Sequence, residues 1–211
     1  MLNLITGELP PTAGRVYLWG KEVTDMPTHR RIQLGLARSL QIPALFSTLT
    51  VLTTILLAVQ GTKPARFDVF RPLTAHHDLV ARARRLLELT DLWERKDDLV
   101  QSLSYGELRK MEIALTLASD PKLLLLDEPS AGLTKAETDV LINTIQDLAK
   151  DTTVLFVAHD MDIVFGLADR IMVLYFGEII AQGTPAEIQA DPRVKEIYLG
   201  TEEGAANAGA G

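Results

Sequence analysis

The stretch Leu123-Leu124-Leu125-Leu126-Asp127-Glu128-Pro129 decides the fold. Consecutive leucines cannot alternate between core and solvent, so the run reads as a strand buried on both faces, in the middle of a parallel sheet. Two adjacent carboxylates close it, at the carboxyl end of the strand, the edge where open α/β sheets bind their ligands. There Asp127 can hold Mg²⁺ and Glu128 can polarise a water. That pairing is the chemistry of nucleotide hydrolysis. The plain alternative makes Asp127 a cap after a strand and Glu128 a solvated turn residue. The buried strand before them and Pro129 after them fix the backbone and favour a site.

Working outward, Val154-Leu155-Phe156-Val157-Ala158 reads as a second fully buried strand, ending at His159. Between the two strands, Leu141, Ile142, Ile145 and Leu148 repeat at helical spacing. Ile171–Tyr175 and Glu178–Ala181 flank Phe176-Gly177 as a hairpin. Thr184-Pro185-Ala186-Glu187 opens a helix with Thr184 as its cap, and Ser104-x-x-Glu107 opens another over 106–119. Upstream, residues 15–41 read as strands and connections, with the segment ending at Gln41 taken as a strand. Residues 45–119 lack buried-strand patterning and read as helical, with Leu79, Ala83, Leu86 and Leu87 on one stripe and a loop from Gly61 to His77.

The 211 residues fit one domain with a possible subdomain, and 47% apolar content suffices for a substantial core. No apolar stretch approaches the ~20 residues of a membrane-spanning helix. Met1–Leu9 lacks a basic start and does not read as a secretory signal. Zero cysteines exclude disulfides, thiolate metal sites and cysteine nucleophiles. A net charge of −7 argues against non-specific nucleic-acid binding. His29, His76 and His77 read as loop residues, not as a metal site.

Leu103-Ser104-Tyr105-Gly106-Glu107 followed by Leu126-Asp127-Glu128-Pro129-Ser130-Ala131-Gly132-Leu133 resembles the signature motif, Walker B strand and D-loop of ABC transporter ATP-binding subunits. Ser39-Leu40-Gln41 resembles that family's Q-loop, and Val157-Ala158-His159-Asp160 its switch-histidine strand end. The order and spacing of these pieces, from Met1 to about Gly200, make the likeness specific. Gly183–Ile188, Asp191-Pro192-Arg193-Val194 and Ile197–Gly200 are similar to the tail of ATPases that drive branched-chain amino acid and urea/amide importers. The lipopolysaccharide-export ATPase has a related tail and is a rival within the family.

The resemblance implies an α/β fold: a P-loop NTPase-like core with a mostly parallel sheet and a helical subdomain carrying the signature. It divides the chain into residues 1–44 and 120–200 for the core, 45–119 for the helical subdomain, and 201–211 for a disordered tail. It implies an ATPase that uses ATP and Mg²⁺. Asp127 and Gln41 would attend the metal, with Glu128 as the base orienting water and His159 on the γ-phosphate. Gln41, Ser104, Gly106, Glu107, Ser130 and Gly132 would contact nucleotide, the signature residues reaching ATP held by a second ATP-binding subunit, identical or paralogous. Further implied partners are transmembrane permease subunits and, indirectly, a periplasmic or extracellular solute-binding protein, with no nucleic acid. The implied location is the cytoplasmic face of the inner membrane, as a peripheral subunit. The apolar segment Ile42–Phe46 would either dock a permease helix or pack into the core. Tyr105 stands where the family commonly has glycine, and Thr134 where many members have aspartate.

The family's phosphate-cradling sequence, Gly-x-x-x-x-Gly-Lys-Ser/Thr, is absent from these 211 residues. Met1–Gly7 resembles the end of the helix that follows it, so the expected start lies just past the loop's lysine, with the strand leading into the loop also missing. Two explanations stand. Met1 is an interior residue of a longer protein, which the otherwise intact motif set favours. Alternatively the chain is a catalytically silent partner that donates Ser104 and Gly106 to an intact paralogue's ATP. Without the missing strand, an isolated chain is expected to be marginally stable and inactive by itself.

Overall fold

The computed structural model describes residues 1–39, 46–61, 76–148 and 150–197, which form two compact units, Met1–Ala158 and His159 onward. Gln41, most of Ile42–Phe46, the stretch 62–75 and the 201–211 tail lie outside the described residues.

In the first unit, β3 (Leu36–Arg38), β4 (Leu123–Asp127) and β5 (Thr153–Val157) form a parallel three-stranded sheet in the order β3-β4-β5. The leucine run is its centre. Leu124, Leu125 and Leu126 are each at most 1% exposed, as a strand covered on both faces must be. Register pairs Leu36 with Leu123 and Asp127 with Val157, so β4 and β5 end level.

β5 departs from its expectation. Its end residues are exposed and its middle three half-buried, because it pairs only with β4 among the described residues and so forms an edge. The strand predicted to end at Gln41 is observed over Leu36–Arg38. The apolar pattern before it is split by a helix, α2 (Thr28–Gln33), which follows Pro27 and takes in His29. Earlier come α1 (Leu2–Thr6), closed by Gly7 at φ 79, and a tight hairpin of β1 (Tyr17–Leu18) and β2 (Lys21–Glu22). Both turn residues of that hairpin, Trp19 and Gly20, have positive φ, the twist such two-residue turns need. Leu2, Leu18, Val23, Leu36 and Leu125 close one core over this part of the sheet.

Between β3 and β4 the described residues hold helices and no strand: α3 (Val51–Gly61), α4 (His77–Leu89) and α5 (Tyr105–Leu117), each packed on the other two. Leu79, Ala83, Leu86 and Leu87 form the buried stripe of α4. His77 opens that helix and so is not a loop residue, while His76 stands just before it at the N-cap position with no side-chain cap bond. α6 (Lys135–Leu148) returns the chain to β5 and buries Leu141, Thr144, Ile145 and Leu148.

The second unit is α7 (Met161–Leu167), an antiparallel hairpin of β6 (Ile171–Tyr175) and β7 (Glu178–Gly183), and α8 (Pro185–Ala190). Its core joins Ile171, Val173, Ala181, Ile188 and Val194. The hairpin turns on Phe176-Gly177, and α8 starts with the capping box expected of Thr184 and Glu187.

Candidate functional site

The site grows from the end of β4. Asp127 is the last residue of the strand, and the ladder runs one residue further, since the Glu128 N–H donates to the Val157 carbonyl at 2.8 Å. Glu128 then turns into the left-handed region at φ 44, which L residues rarely occupy. The Ala131 N–H donates back to the Glu128 carbonyl and the Leu133 N–H to the Ser130 carbonyl, with Gly132 at φ 77. Asp127, Glu128, Ser130 and Gly132 therefore share one tight turn at the carboxyl end of the central strand.

Two arginines hold this turn, and neither was singled out in the sequence. Arg38, at the end of β3, donates from Nη2 to Asp127 Oδ2 at 3.1 Å and from Nη1 to Asn3 Oδ1 at 2.6 Å and Glu8 Oε2 at 3.0 Å. Arg109, buried in α5, donates to the carbonyls of Asp127 and Pro129 (each 3.2 Å) and Glu128 (2.8 Å). Its Nη1 donates to Glu112 Oε2 at 2.6 Å. The one available signal was a basic residue inside an otherwise apolar segment, as in Leu36-Ala37-Arg38.

The Ser104–Glu107 segment lies against the same turn. Ser104 caps α5: its Oγ accepts from the Glu107 N–H at 3.3 Å while its own N–H donates to Glu107 Oε2 at 2.8 Å. Burial pushes the Glu107 carboxyl up, but the bonds from Ser104 and the nearby Arg95 and Lys110 charges outweigh it and hold the group below its ordinary value. Tyr105 donates its hydroxyl to the Ala131 carbonyl at 3.2 Å, and a Cβ on Gly132 would sit 2.9 Å from its ring. A Cβ on Gly106 would meet the Glu137 carboxylate, which would have to swing aside for any larger residue there. Thr134 is the N-cap partner of Glu137: its N–H donates to Glu137 Oε2 at 2.9 Å and its hydroxyl accepts from the Glu137 N–H at 3.4 Å. Thr134 thus serves as a helix cap.

Gln41 lies outside the described residues. His159 follows β5 by two residues, is exposed, and belongs to the second unit.

Chemically, the turn offers one carboxylate engaged by Arg38 through Oδ2 and a second, half-buried, on a fixed backbone. Mg²⁺ keeps several waters and takes few protein ligands, so a single carboxylate of this kind fits it.

The model of the ABC transporter family matches residues 1–131, more than half of the chain. The chain belongs to the ABC transporter family. It is an ABC-type ATPase cassette, and nucleotide binding is the family's property. A second model, for branched-chain amino acid ATP-binding cassette transporters, matches residues 178–204 of this ABC chain. The chain is 34% identical to a probable branched-chain amino acid transport ATP-binding protein of Archaeoglobus fulgidus, covering 96% of this chain and 80% of that protein. It is 35% identical to the high-affinity branched-chain amino acid transport ATP-binding protein of Escherichia coli K12, covering 95% and 81%. Among solved structures, a nucleotide-free ATP-binding cassette from an ABC transporter superposes with a TM-score of 0.77 at 30% identity over 93% of this chain and 81% of that one. An ABC cassette in its ADP conformation gives 0.79 at 31% identity over 94% and 82%.

Proposed function

We propose that this chain is the ATP-hydrolysing subunit of an importer for branched-chain amino acids or chemically related solutes such as urea and amides. The carrying observation is the turn itself: Asp127 and Glu128 side by side at the end of a buried central strand, clamped to the helix that Ser104 caps. The relatives' names support the solute class and favour an importer above the lipopolysaccharide-export rival.

In this reading Asp127 holds Mg²⁺, directly or through water, with Gln41 as its second attendant. When bound, ATP supplies the phosphoryl group and Mg²⁺ neutralises its charge. Glu128 orients and deprotonates the attacking water, and its fixed backbone gives the positioning that phosphoryl transfer depends on. His159 contacts the γ-phosphate through its imidazole, which can donate a hydrogen bond. The segment Ser104–Glu107, with Ser130 and Gly132, faces nucleotide held by a second ATP-binding subunit. Permease subunits are the mechanical partners, and a solute-binding protein acts through them. The chain sits peripherally at the cytoplasmic membrane face; no helix among the described residues is long and apolar enough to cross a membrane.

A second reading has one observation in its favour: residues 1–211 contain no Gly-x-x-x-x-Gly-Lys-Ser/Thr sequence. It makes the chain a silent partner that lends Ser104 and Gly106 to a paralogue's ATP. The two are separated by changing the chromosomal codon to give Glu128→Gln and purifying the gene product with its membrane partners. Removing a general base costs about 10²–10⁴-fold in turnover, with ATP still bound. Unchanged ATP turnover in Glu128→Gln would remove the catalytic reading and leave the silent one. Stimulation of the wild-type complex by leucine, urea or acetamide assigns the solute.

A further inference from the structure

Arg109 makes four hydrogen bonds from one buried guanidinium, three of them to the successive carbonyls of Asp127, Glu128 and Pro129. Three neighbouring carbonyls can converge on one donor group only if the backbone between them curls. Glu128 supplies that curl with its left-handed φ of 44. Such a conformation persists only where the surroundings over-determine it. Here the surroundings are β5, which accepts the Glu128 N–H, and the guanidinium on the opposite side of the peptide.

The guanidinium is in turn aimed by Glu112, one helical turn along α5, whose Oε2 accepts at 2.6 Å. Glu112 is itself 6% exposed. Burial pushes its carboxyl up, and the charge and hydrogen bond of Arg109 oppose that shift. The pair therefore lies inside the protein, and three of the four hydrogen bonds from Arg109 go to the backbone of the acidic turn. α5 is also the helix whose first turn carries Ser104, Tyr105 and Gly106. Arg109 thus joins that helix to the backbone of Asp127 and Glu128.

We propose that Arg109, aimed by Glu112, is a positioning residue that sets the direction of the Glu128 and Asp127 carboxylates and ties that direction to the Ser104 end of α5. The proposal rests on the reading of Glu128 as the base. It assigns Arg109 no contact with nucleotide or metal.

The test uses the native gene product, edited at its chromosomal codon and purified with its membrane partners. Arg109→Lys keeps a positive charge but cannot span three carbonyls. Misplacing a reacting group by about 1 Å costs about 10²-fold in rate. Arg109→Lys is therefore expected to lower kcat about that much, with KM for ATP within about two-fold, since binding is not its task. Hydrogen exchange at the Glu128 and Ala131 amides should accelerate, while the amides of α4 keep their protection. Glu112→Gln should move the same quantities in the same direction by less, and it carries the test should Arg109→Lys not accumulate. Unchanged kcat and unchanged exchange at 128–131 would overturn the proposal. So would a drop in kcat that only tracks a smaller folded fraction. If the wild-type complex turns over no ATP, the reading of Glu128 fails separately, and the exchange rates still decide whether Arg109 shapes the turn.

Discussion

Arg31 is 1% exposed and solvates its charge with carbonyl oxygens instead of a carboxylate. Nη1 donates to Leu4 and Ile5 at 2.8 Å each, Nε to Met26 at 2.8 Å and Nη2 to Thr24 at 2.9 Å. Two of these carbonyls belong to the last turn of α1, which has no intrahelical donors for them. Gly7 must be glycine for the same reason: a Cβ there would lie 2.8 Å from the guanidinium carbon, at a φ of 79. Arg31→Met should leave four part-buried carbonyls without their donor and cost about 2–4 kcal/mol. Urea unfolding followed by tryptophan fluorescence reads this directly, because Trp19 and Trp93 both lie in the first unit. A loss below about 0.5 kcal/mol, the size of an ordinary surface substitution, would refute it. Arg31, Arg38 and Arg109 also mark where sequence reading stops. An arginine in a sequence is by default a solvated side chain. The partners that bury these three stand up to 89 residues away along the chain, and no spacing rule reaches that far. Asp127 and Glu128 were legible because a four-leucine run fixes the strand, and the strand's end fixes them.

At the scale of elements, legibility follows how local the cause is. Capping boxes depend on residues three apart, and Ser104/Glu107 and Thr184/Glu187 both cap as expected. Thr134/Glu137 forms the same pair. The burial of β5 was misjudged because it depends on what lies beside the strand, which its own apolar residues do not encode. The caps carry a pH consequence. The bonds from Thr134 and Thr184 hold the Glu137 and Glu187 carboxyls below their ordinary value, and Glu107 shifts the same way against its burial. A carboxyl lowered on folding contributes stability that is complete above its unfolded pKa, about 4.3, and is lost as pH falls through the lowered folded value. Helical ellipticity at 222 nm should therefore hold down to about pH 4.3 and decline below it. Glu107→Gln, Glu137→Gln and Glu187→Gln combined should flatten that part of the decline, since an amide still accepts a bond but does not titrate. A profile identical to wild type in the triple variant would count against the caps as its source.

For the whole chain, the relatives it matches are longer, with 80–82% of their length covered. In the proposed reading its own 211 residues would supply a water-polarising carboxylate, a metal carboxylate and a helix end for an opposing nucleotide, but they contain no glycine-lysine loop. Those groups differ in what they can do unaided. A carboxylate orients water only after the triphosphate is held, and holding it takes backbone N–H groups and a lysine around the β- and γ-phosphates. With a net charge of −7 the chain has no general attraction for ATP to substitute for that cradle. Residues 1–211 produced by themselves should therefore release phosphate from ATP no faster than buffer, whereas the complex purified with its membrane partners turns it over. Phosphate release measured side by side decides the matter. Turnover by residues 1–211 at the rate of the native complex would mean that another part of this chain holds the triphosphate, and the division of labour argued for Asp127 and Glu128 would have to be redrawn around it.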